Sequence, residues 1–324
     1  MDFISTIRSR VKETGKKRIV FPEGQDNRIL SAAAFMAKEN LSDTIVLGDA
    51  KEIQKVAVDK GIHIDRVKVI DLPNADKSDF GQQYYELRKH KGIELDKAME
   101  TINDPLFYAA MMIRKNQADC AVGGAINPTG NVLRAAIQIV GLAENIKAVS
   151  SSFFMVLKDG NVLSFGDCAV IPNPDEEQLA AIAMSTAETY EKVMHDKANV
   201  AMLSFSTMGS AEHDDVFKVV NATNLVKQLK PDLNIDGELQ FDAAYNARVA
   251  AMKAPESPVA GKANVFVFPD LDAGNIGYKI AQRLGHAEAI GPVIQGLAKP
   301  FNDLSRGCNT EDVINTACIC SLMV

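Results

Sequence analysis

A short polar segment near the end of the chain combines a hydroxyl, a guanidinium and a carboxylate. Ser305 and Arg306 stand just before a predicted helix over residues 310–322, and Asp312 falls in its first turn. Thr310 is the predicted N-cap of that helix. Free N–H groups and the helix dipole favour an anion at this position, and an arginine can bind phosphate through two parallel hydrogen bonds. The segment therefore predicts an anion site beside a carboxylate able to take a proton, although a solvated surface turn has the same spacing.

A second candidate segment follows a hydrophobic strand predicted over residues 264–268. It passes through a polar loop into a helix predicted over residues 274–284, the usual location of ligands in doubly wound sheets. Tyr278 offers a hydrogen-bond donor there, and Lys279 offers a positive charge. The spacing is neither G-x-G-x-x-G nor a Walker loop, so an ordinary strand-to-helix turn is the alternative.

A third segment has the same strand–loop–helix form. A predicted strand over residues 118–122 leads to a helix predicted over residues 131–140, with Thr129 near its start and Arg134 one turn later. Arg88 belongs to a basic cluster upstream and is also able to meet a phosphate. Such a cluster equally suits a solvated helix face, so the residues alone leave both interpretations open.

Composition and charge restrict the class of function. The 324 residues carry a formal net charge of -7, and 47% of them are hydrophobic. That balance is typical of globular proteins and argues against nonspecific nucleic-acid binding, which needs a basic surface. Neither the five cysteines nor the five histidines have the spacing of a metal site. We therefore expect reduced thiols, no metal centre and no nucleic-acid partner.

The N-terminal segment and the hydropathy pattern bear on location. Residues 1–8 lack the apolar stretch of a signal peptide. No apolar run approaches the roughly 18 residues that a membrane span needs. We expect a cytoplasmic protein that does not enter a membrane.

Short β-branched runs alternate with amphipathic helical segments through most of the chain. This alternation predicts a parallel sheet covered by helices on both faces. An antiparallel hairpin predicted over residues 149–165 interrupts the pattern and marks a domain boundary. The sequence thus predicts two α/β/α domains with mainly parallel sheets, residues 1–145 plus 290–324 and residues 146–289. The last segment is expected to add one helix, without strands of its own, that packs onto the first domain.

Several long blocks, in order, resemble the phosphate acetyltransferase (phosphotransacetylase) family. The resemblance runs from about residue 18 to the C-terminus, and a set of blocks is more specific than any single motif. The longest blocks are FPDLDAGNIGYK at 268–279, GPVIQGLAKP at 291–300 and NDLSRG at 302–307. Further matches are FPEG at 21–24, the segment 129–140, FGDCAV at 165–170 and NP at 173–174.

The resemblance implies a fold, a reaction and an assembly. Members of the family have two α/β/α domains, as in the isocitrate and isopropylmalate dehydrogenases, with the active site in the cleft between them. They commonly form homodimers. Their reaction is reversible, with acetyl-CoA plus phosphate giving acetyl phosphate plus CoA. It resembles direct transfer in a ternary complex, in which CoA is a substrate and no metal or prosthetic group is required.

The resemblance also implies roles for the first candidate segment. A CoA thiol that behaves like free cysteine has a pKa of about 8.5, so only a few per cent is thiolate at neutral pH. Asp312 matches the base that takes this proton. Arg306 matches the residue that binds acetyl phosphate and polarises its carbonyl, and Ser305 matches a donor to the thiol or the developing oxyanion.

Two further groups of residues are assigned to substrate binding by the same resemblance. Arg88 and Arg134 match arginines implicated in CoA binding, through its phosphates. Thr129, Tyr278 and Lys279 match positions that line the acyl-phosphate pocket. The expected partners are thus the small molecules CoA, acetyl phosphate and phosphate, and the expected setting is acetate metabolism.

Three alternatives remain beside this assignment. A phosphate butyryltransferase would run identical chemistry with a larger acyl pocket, and one methylene is worth only about 1–3 kcal/mol. A metal-dependent dehydrogenase-like relative would need carboxylate or histidine clusters, for which the sequence gives no pattern. A noncatalytic regulatory domain would have no need of Ser305, Arg306 and Asp312 together.

Overall fold

The computed structural model describes residues 2–144 and 146–324. These fall into two compact units, the first formed by Phe3–Ala143 and Leu297–Val324 and the second by Glu144–Gly296. The strands are β1 (Lys17–Phe21), β2 (Ser42–Gly48), β3 (Lys68–Asp71), β4 (Cys120–Gly123), β5 (Ser150–Val156), β6 (Val162–Gly166), β7 (Asn199–Leu203), β8 (Asn234–Leu239), β9 (Val265–Val267), β10 (Glu288–Gln295) and β11 (Phe301–Asp303).

The helices are given in the same chain order. They are α1 (Phe3–Glu13), α2 (Asn27–Lys38), α3 (Ala50–Lys60), α4 (Ser78–Arg88), α5 (Leu95–Thr101), α6 (Pro105–Arg114), α7 (Thr129–Ala135), α8 (Glu176–Met194), α9 (Asp214–Leu229), α10 (Phe241–Tyr245), α11 (Ala247–Lys253), α12 (Leu271–Arg283) and α13 (Thr310–Leu322). A π-type turn, Ala136–Val140, continues α7. The protein is an α/β protein with mainly parallel sheets, as the sequence predicts.

The first unit is built on a parallel sheet in the order β11-β4-β1-β2-β3. Side chains alternate between the two faces of each strand. Val20, Leu47 and Phe301 point into a buried core that they share with α4–α7. On the other side α2 contacts β2, while α13 contacts β1, β4 and β11. The strands therefore lie between two layers of helices.

The second unit contains a mixed sheet in the order β10-β5-β6-β9-β7-β8. Strand β5 pairs antiparallel with β6 and with β10, whereas β6, β9, β7 and β8 pair in parallel. Phe165 and Phe266 pack with α10, α11 and α12 on one face, and α8 and α9 contact the strands of the unit. The predicted hairpin is confirmed as β5 and β6.

The chain after residue 288 differs from the prediction. It contains β10 and β11 before α13, so the expectation of a final helix without strands was wrong. Strand β11 is only three residues long and carries Asn302 and Asp303, which are not β-formers. Strand β8 was also missed, because Asp236 and Gly237 interrupt its apolar pattern. Pairing with neighbouring strands, rather than local propensity, forms both elements.

Within residues 2–144 and 146–324, no helix combines the length and the apolar character that a membrane crossing requires.

Phe266 is the centre of the aromatic cluster in the second unit. Its side chain is 0% exposed, and its ring contacts those of Phe165, Phe241 and Tyr245. We expect Phe266→Ala to lower the free energy of unfolding by about 3–5 kcal/mol, because it leaves a cavity that the sheet cannot fill. The measurement is urea denaturation. Phe217→Ala, at a ring that is 50% exposed, is the control and should change stability by less than about 0.5 kcal/mol.

Candidate active site

Three loops of the first unit leave neighbouring strands at the same edge of its sheet. Strands β11, β4 and β1 are adjacent and parallel, so their carboxyl ends lie side by side. The loop after β1 carries Glu23 and leads to Arg28 at the start of α2. The loop after β4 leads to Thr129, and the loop after β11 carries Ser305 and Arg306. Ligands of parallel α/β sheets bind at this edge.

The loop after β11 forms a tight exposed turn. Leu304 N donates to Gly123 O at 2.8 Å and ties the start of the loop to β4. Cys308 N donates to Ser305 O at 2.9 Å, and Gly307 N donates to Ser305 Oγ at 3.2 Å. Ser305 and Arg306 are exposed, whereas Cys308 is buried. In the part of the chain that the structure describes, the Arg306 guanidinium makes no hydrogen bond or ion pair, so its donors are available to a ligand.

The N-cap of helix α13 lies one residue earlier than the sequence indicated. Its N-cap is Asn309, not Thr310, which is the first residue of the helix. Asp312 N donates to Asn309 Oδ1 at 3.0 Å, and Asn309 N donates to Asp312 Oδ2 at 2.9 Å. Asparagine and threonine are both good caps, so local preference did not separate them. This capping box fixes the Asp312 carboxylate in an exposed position with Oδ1 outside the box.

Arg28 holds the backbone of two of the three loops, and the sequence did not reveal this role. Its Nη1 donates to Arg306 O at 2.8 Å and to Cys308 O at 2.9 Å, and its Nη2 donates to Ala125 O at 2.8 Å. Asp26, the N-cap of α2, accepts from Nε and Nη2 of the same guanidinium. The Asp26 partner raises the pKa of Arg28. Arg28 therefore orients Arg306 through its main chain.

Glu23 complements Arg28, because its carboxylate accepts hydrogen bonds from backbone N–H groups. Its two carboxylate oxygens accept from the N–H groups of residues 124–127 at 2.8–3.2 Å and from Asn127 Nδ2 at 2.8 Å. Five donors on one buried side chain satisfy a loop that lies outside any helix or strand. Gly124 has φ +104, and a Cβ there would collide with Asp303 Oδ1 and Leu304. The loop therefore runs directly against the end of β11.

Thr129 is joined to the end of β11 by one hydrogen bond. Its hydroxyl donates to Asp303 Oδ2 at 2.6 Å. Burial raises the pKa of Asp303 to about 6, the Thr129 hydrogen bond opposes the rise, and the Glu23 charge adds to it. The structure thus brings Thr129 to the base of the Ser305–Arg306 loop. Asp303 was not singled out from the sequence, because its environment depends on strands distant along the chain.

Arg88 and Arg134 share a different neighbour, Tyr84. Burial raises the pKa of Tyr84, and the charges of both arginines oppose that rise. The Tyr84 hydroxyl donates to Gln138 Oε1 at 2.6 Å. Neither guanidinium makes a hydrogen bond or ion pair with the described residues. The two predicted CoA-binding arginines therefore contribute positive charge around one tyrosine.

Tyr278 and Lys279 belong to the second unit, in α12. The Tyr278 ring stacks on Phe153 with centroids 4.2 Å apart, and burial raises the pKa of its hydroxyl. Lys279 Nζ donates to Asn275 Oδ1 at 2.6 Å, and Asn275 Nδ2 donates to Cys168 O at 3.0 Å. Gly274 permits this approach, because a Cβ there would collide with Asp167 O. The helix is thus anchored to the loop that follows β6.

These features define a class of enzyme that binds anionic substrates at the carboxyl edge of a parallel sheet. A comparison with known families gives the narrower assignment. The profile described as "Phosphate acetyl/butaryl transferase" matches residues 2–321. The chain belongs to this family, and it is an acyltransferase.

Individual relatives agree with the family match. The phosphate acetyltransferase of Clostridium acetobutylicum is 46% identical over 98% of this chain and 97% of its own length. That of Thermoanaerobacterium thermosaccharolyticum is 48% identical over 97% of each chain. The crystal structure of a phosphotransacetylase from Streptococcus pyogenes has a TM-score of 0.94 at 41% identity, and covers 99% of this chain and 97% of that one.

The anchoring role of Arg28 leads to a test of loop order. We expect Arg28→Lys to speed hydrogen exchange at the Gly307 and Cys308 amides about tenfold, or about 1.4 kcal/mol of local opening. A lysine ammonium cannot reproduce the planar fork that holds three carbonyls. Exchange is read by mass spectrometry. Arg114→Lys is the matched control, since Arg114 donates to Ile139 O outside the loop, and an equal effect there would contradict the assignment.

The buried carboxyl of Asp303 leads to a test of stability against pH. Its pKa of about 6 in the folded protein exceeds the ordinary value of 3.8, so the folded state binds the proton more tightly. Its contribution to stability is therefore complete below about pH 4 and is lost as pH rises through about 6. Relative to the wild type, Asp303→Asn should gain about 3 kcal/mol in free energy of unfolding between about pH 4 and about pH 8.

Urea denaturation across that pH range measures this difference. Asp272→Asn, at an exposed carboxylate, serves as the control, and its difference from the wild type should stay constant. A constant difference for Asp303→Asn as well would show that Asp303 ionises as an ordinary carboxylate.

Proposed function

We propose that the protein catalyses reversible acetyl transfer between acetyl-CoA and phosphate, by direct attack of the CoA thiolate on acetyl phosphate in a ternary complex. Family membership supports the reaction class, and the names of the relatives support the acetyl group. The observation that carries the mechanism is the exposed grouping of Ser305, Arg306 and Asp312 on one loop and helix start, held by Arg28 and the capping box.

Asp312 begins the reaction as the general base. Its carboxylate accepts the proton of the CoA thiol, and the thiolate sulfur then attacks the carbonyl carbon of acetyl phosphate. As the carbon–sulfur bond forms, the carbon–oxygen bond to the phosphoryl group breaks and phosphate leaves with that electron pair. The proton then passes from Asp312 to the departing phosphate, which restores the carboxylate for the next turnover, and the reverse reaction retraces these steps. The exposed position of the carboxylate and its hold by the Asn309 N–H support this role.

Arg306 and Ser305 act on the charges that develop. The Arg306 guanidinium binds the acetyl phosphate anion, polarises its carbonyl and helps to stabilise the thiolate. The Ser305 hydroxyl donates to the thiol or to the oxyanion, a role typically worth about 3–4 kcal/mol. Since Arg28 fixes the Arg306 carbonyl, the backbone from which the guanidinium extends is held in place.

The remaining predicted residues bind the substrates in this proposal. Arg88 and Arg134 bind CoA through its phosphates, and their common electrostatic effect on Tyr84 supports a joint cationic site. Thr129, Tyr278 and Lys279 line the acyl-phosphate pocket by their match to the family. Guanidinium, ammonium and hydroxyl groups meet the substrate charge, so we propose that no metal or prosthetic group takes part.

Assembly and location complete the proposal. We infer a cytoplasmic homodimer whose partners are the small-molecule substrates, among them CoA, acetyl phosphate and phosphate. Four aromatic side chains among the described residues of the second unit are more than 40% exposed, namely Phe205, Phe217, Phe241 and Tyr245, and burial against a second copy would remove that apolar area from water.

Formation of acetyl-CoA from acetyl phosphate and CoA, without added metal, tests the proposed reaction. The expected result is a rise in thioester absorbance in proportion to enzyme. Acetyl, propionyl and butyryl phosphate are compared at equal concentration, and the highest kcat/KM should belong to acetyl phosphate. Preference for butyryl phosphate would reassign the acyl group, and no thioester from any of the three would overturn the proposal.

Two substitutions test the catalytic assignments in that assay. We expect Arg306→Ala and Asp312→Asn each to lower kcat about a hundredfold or more. Both variants keep the fold, because the Arg306 carbonyl still accepts from Arg28 and an amide oxygen at 312 still accepts from Asn309 N. Glu311→Gln, one position from Asp312, removes a carboxylate that pairs with Arg8 and should leave kcat within about twofold. Near wild-type rates for Asp312→Asn would show that another group is the base.

A further inference from the structure

Asp303 occupies an unusual position for a carboxyl group. It ends β11 only 3% exposed, two residues before Ser305. Oδ2 lies 2.6 Å from Thr129 Oγ1. Oδ1 is buried and has no hydrogen-bond partner among residues 2–144 and 146–324. One short contact to a hydroxyl is thus the only bond that this carboxyl makes with the described side chains.

The charged groups around this corner come from several elements. Glu23 follows β1 and acts directly on Asp303, in the direction that favours the protonated form. Arg28 on α2 lies near Glu23 and Cys308, and Asp312 on α13 lies near Cys308. The five donors that Glu23 collects leave it well solvated by protein groups, whereas Asp303 has a single side-chain donor, Thr129, beside the backbone N–H of Leu304. Burial with few donors favours the protonated form of Asp303.

The direction of the bond between Asp303 and Thr129 depends on that proton. An ionised carboxylate is an acceptor only, so the Thr129 hydroxyl hydrogen must point at it. A protonated Asp303 has one O–H donor. On Oδ1 this donor would be buried without an acceptor, whereas on Oδ2 it faces Thr129 Oγ1. Protonation therefore reverses the bond and frees the threonine hydrogen.

We propose that Asp303 is a positioning residue that controls the Thr129 hydroxyl: ionised Asp303 retains the hydroxyl hydrogen, and protonated Asp303 releases it to donate to the phosphate group of the substrate. The inference rests on the proposed function, in which Thr129 lines the acyl-phosphate pocket. It adds a residue that does not touch the substrate but decides whether Thr129 is a donor to it.

The release has a defined pH dependence. Below about pH 6 Asp303 is protonated, Thr129 donates to the substrate, and acetyl phosphate binds more tightly. As pH rises the hydrogen returns to Asp303, and the buried negative charge also repels the anionic substrate. The KM for acetyl phosphate should therefore increase with pH by about tenfold, the range of one hydrogen bond to a charged group.

The experiment compares the KM for acetyl phosphate, at saturating CoA, from about pH 5 to about pH 8 in the wild type and Asp303→Asn. The asparagine amide is neutral at every pH and donates to Thr129 through Nδ2, as the protonated acid does. Titration of the substrates is common to both proteins, so the ratio of the two KM values isolates Asp303. The ratio of wild-type to variant KM should be near one at low pH and rise about tenfold at high pH.

Substitutions of Thr129 supply an independent arm that does not require Asp303→Asn to fold. Thr129→Val removes the hydroxyl, so the wild type should bind acetyl phosphate about tenfold better than this variant at low pH and equally well at high pH. Thr129→Ser restores a hydroxyl and should restore the wild-type pH profile, which a purely structural role for the threonine methyl group would not do.

The outcomes separate this inference from the proposed function. An active wild type whose KM ratios to Asp303→Asn or Thr129→Val stay constant with pH overturns the role of Asp303 and leaves the acetyl transfer intact. A wild type that forms no acetyl-CoA overturns both. Loss of the pH profile in Thr129→Ser would also contradict the proposal, because the hydroxyl is then not the group that Asp303 controls.

Discussion

The parallel pairing of Phe301–Asp303 with residues 121–123 is the contact on which the candidate site depends. It joins a segment from the end of the chain to β4, which in turn pairs with β1. Because all three strands run the same way, their carboxyl ends deliver three loops from distant parts of the sequence to one edge. Without β11, the Ser305–Arg306 loop would have no fixed relation to Thr129 or Arg28.

Strand β11 is only three residues long, and two charged side chains, Glu23 and Arg28, add to the contacts that hold the loops. Loops at a sheet edge carry backbone N–H and C=O groups that no helix or strand satisfies. Glu23 accepts from the N–H groups of residues 124–127, and Arg28 donates to carbonyls of residues 125, 306 and 308. The negative side chain thus satisfies N–H groups of the loop backbone, and the positive side chain satisfies its carbonyls. This division holds the loop backbone without any contribution from the Arg306 side chain.

Local patterns in the sequence predicted much of the fold and part of the site. The final helix, the hairpin and the turn around Ser305 follow from periodicity, turn residues and capping preference, all of which act over a few positions. Glu23, Arg28 and Asp303 have partners about a hundred or more positions away, and no local pattern records such contacts. The roles of Arg88, Tyr278 and Lys279 came from family resemblance, since each residue type also suits an ordinary solvated helix.

Glu23 and Asp303 differ in the number of hydrogen-bond donors around them, and this difference points to a functional role for Asp303. Both carboxyls are buried at the same edge, but only Glu23 has enough donors to replace water. A buried carboxyl with one partner costs folding free energy when it ionises, and an asparagine would fit the same space without that cost. Groups held in costly ionisation states concentrate where reactions occur. Asp303 lies two residues before Ser305 and against Thr129. Its unfavourable ionisation therefore occurs where control of a single hydroxyl hydrogen would affect substrate binding.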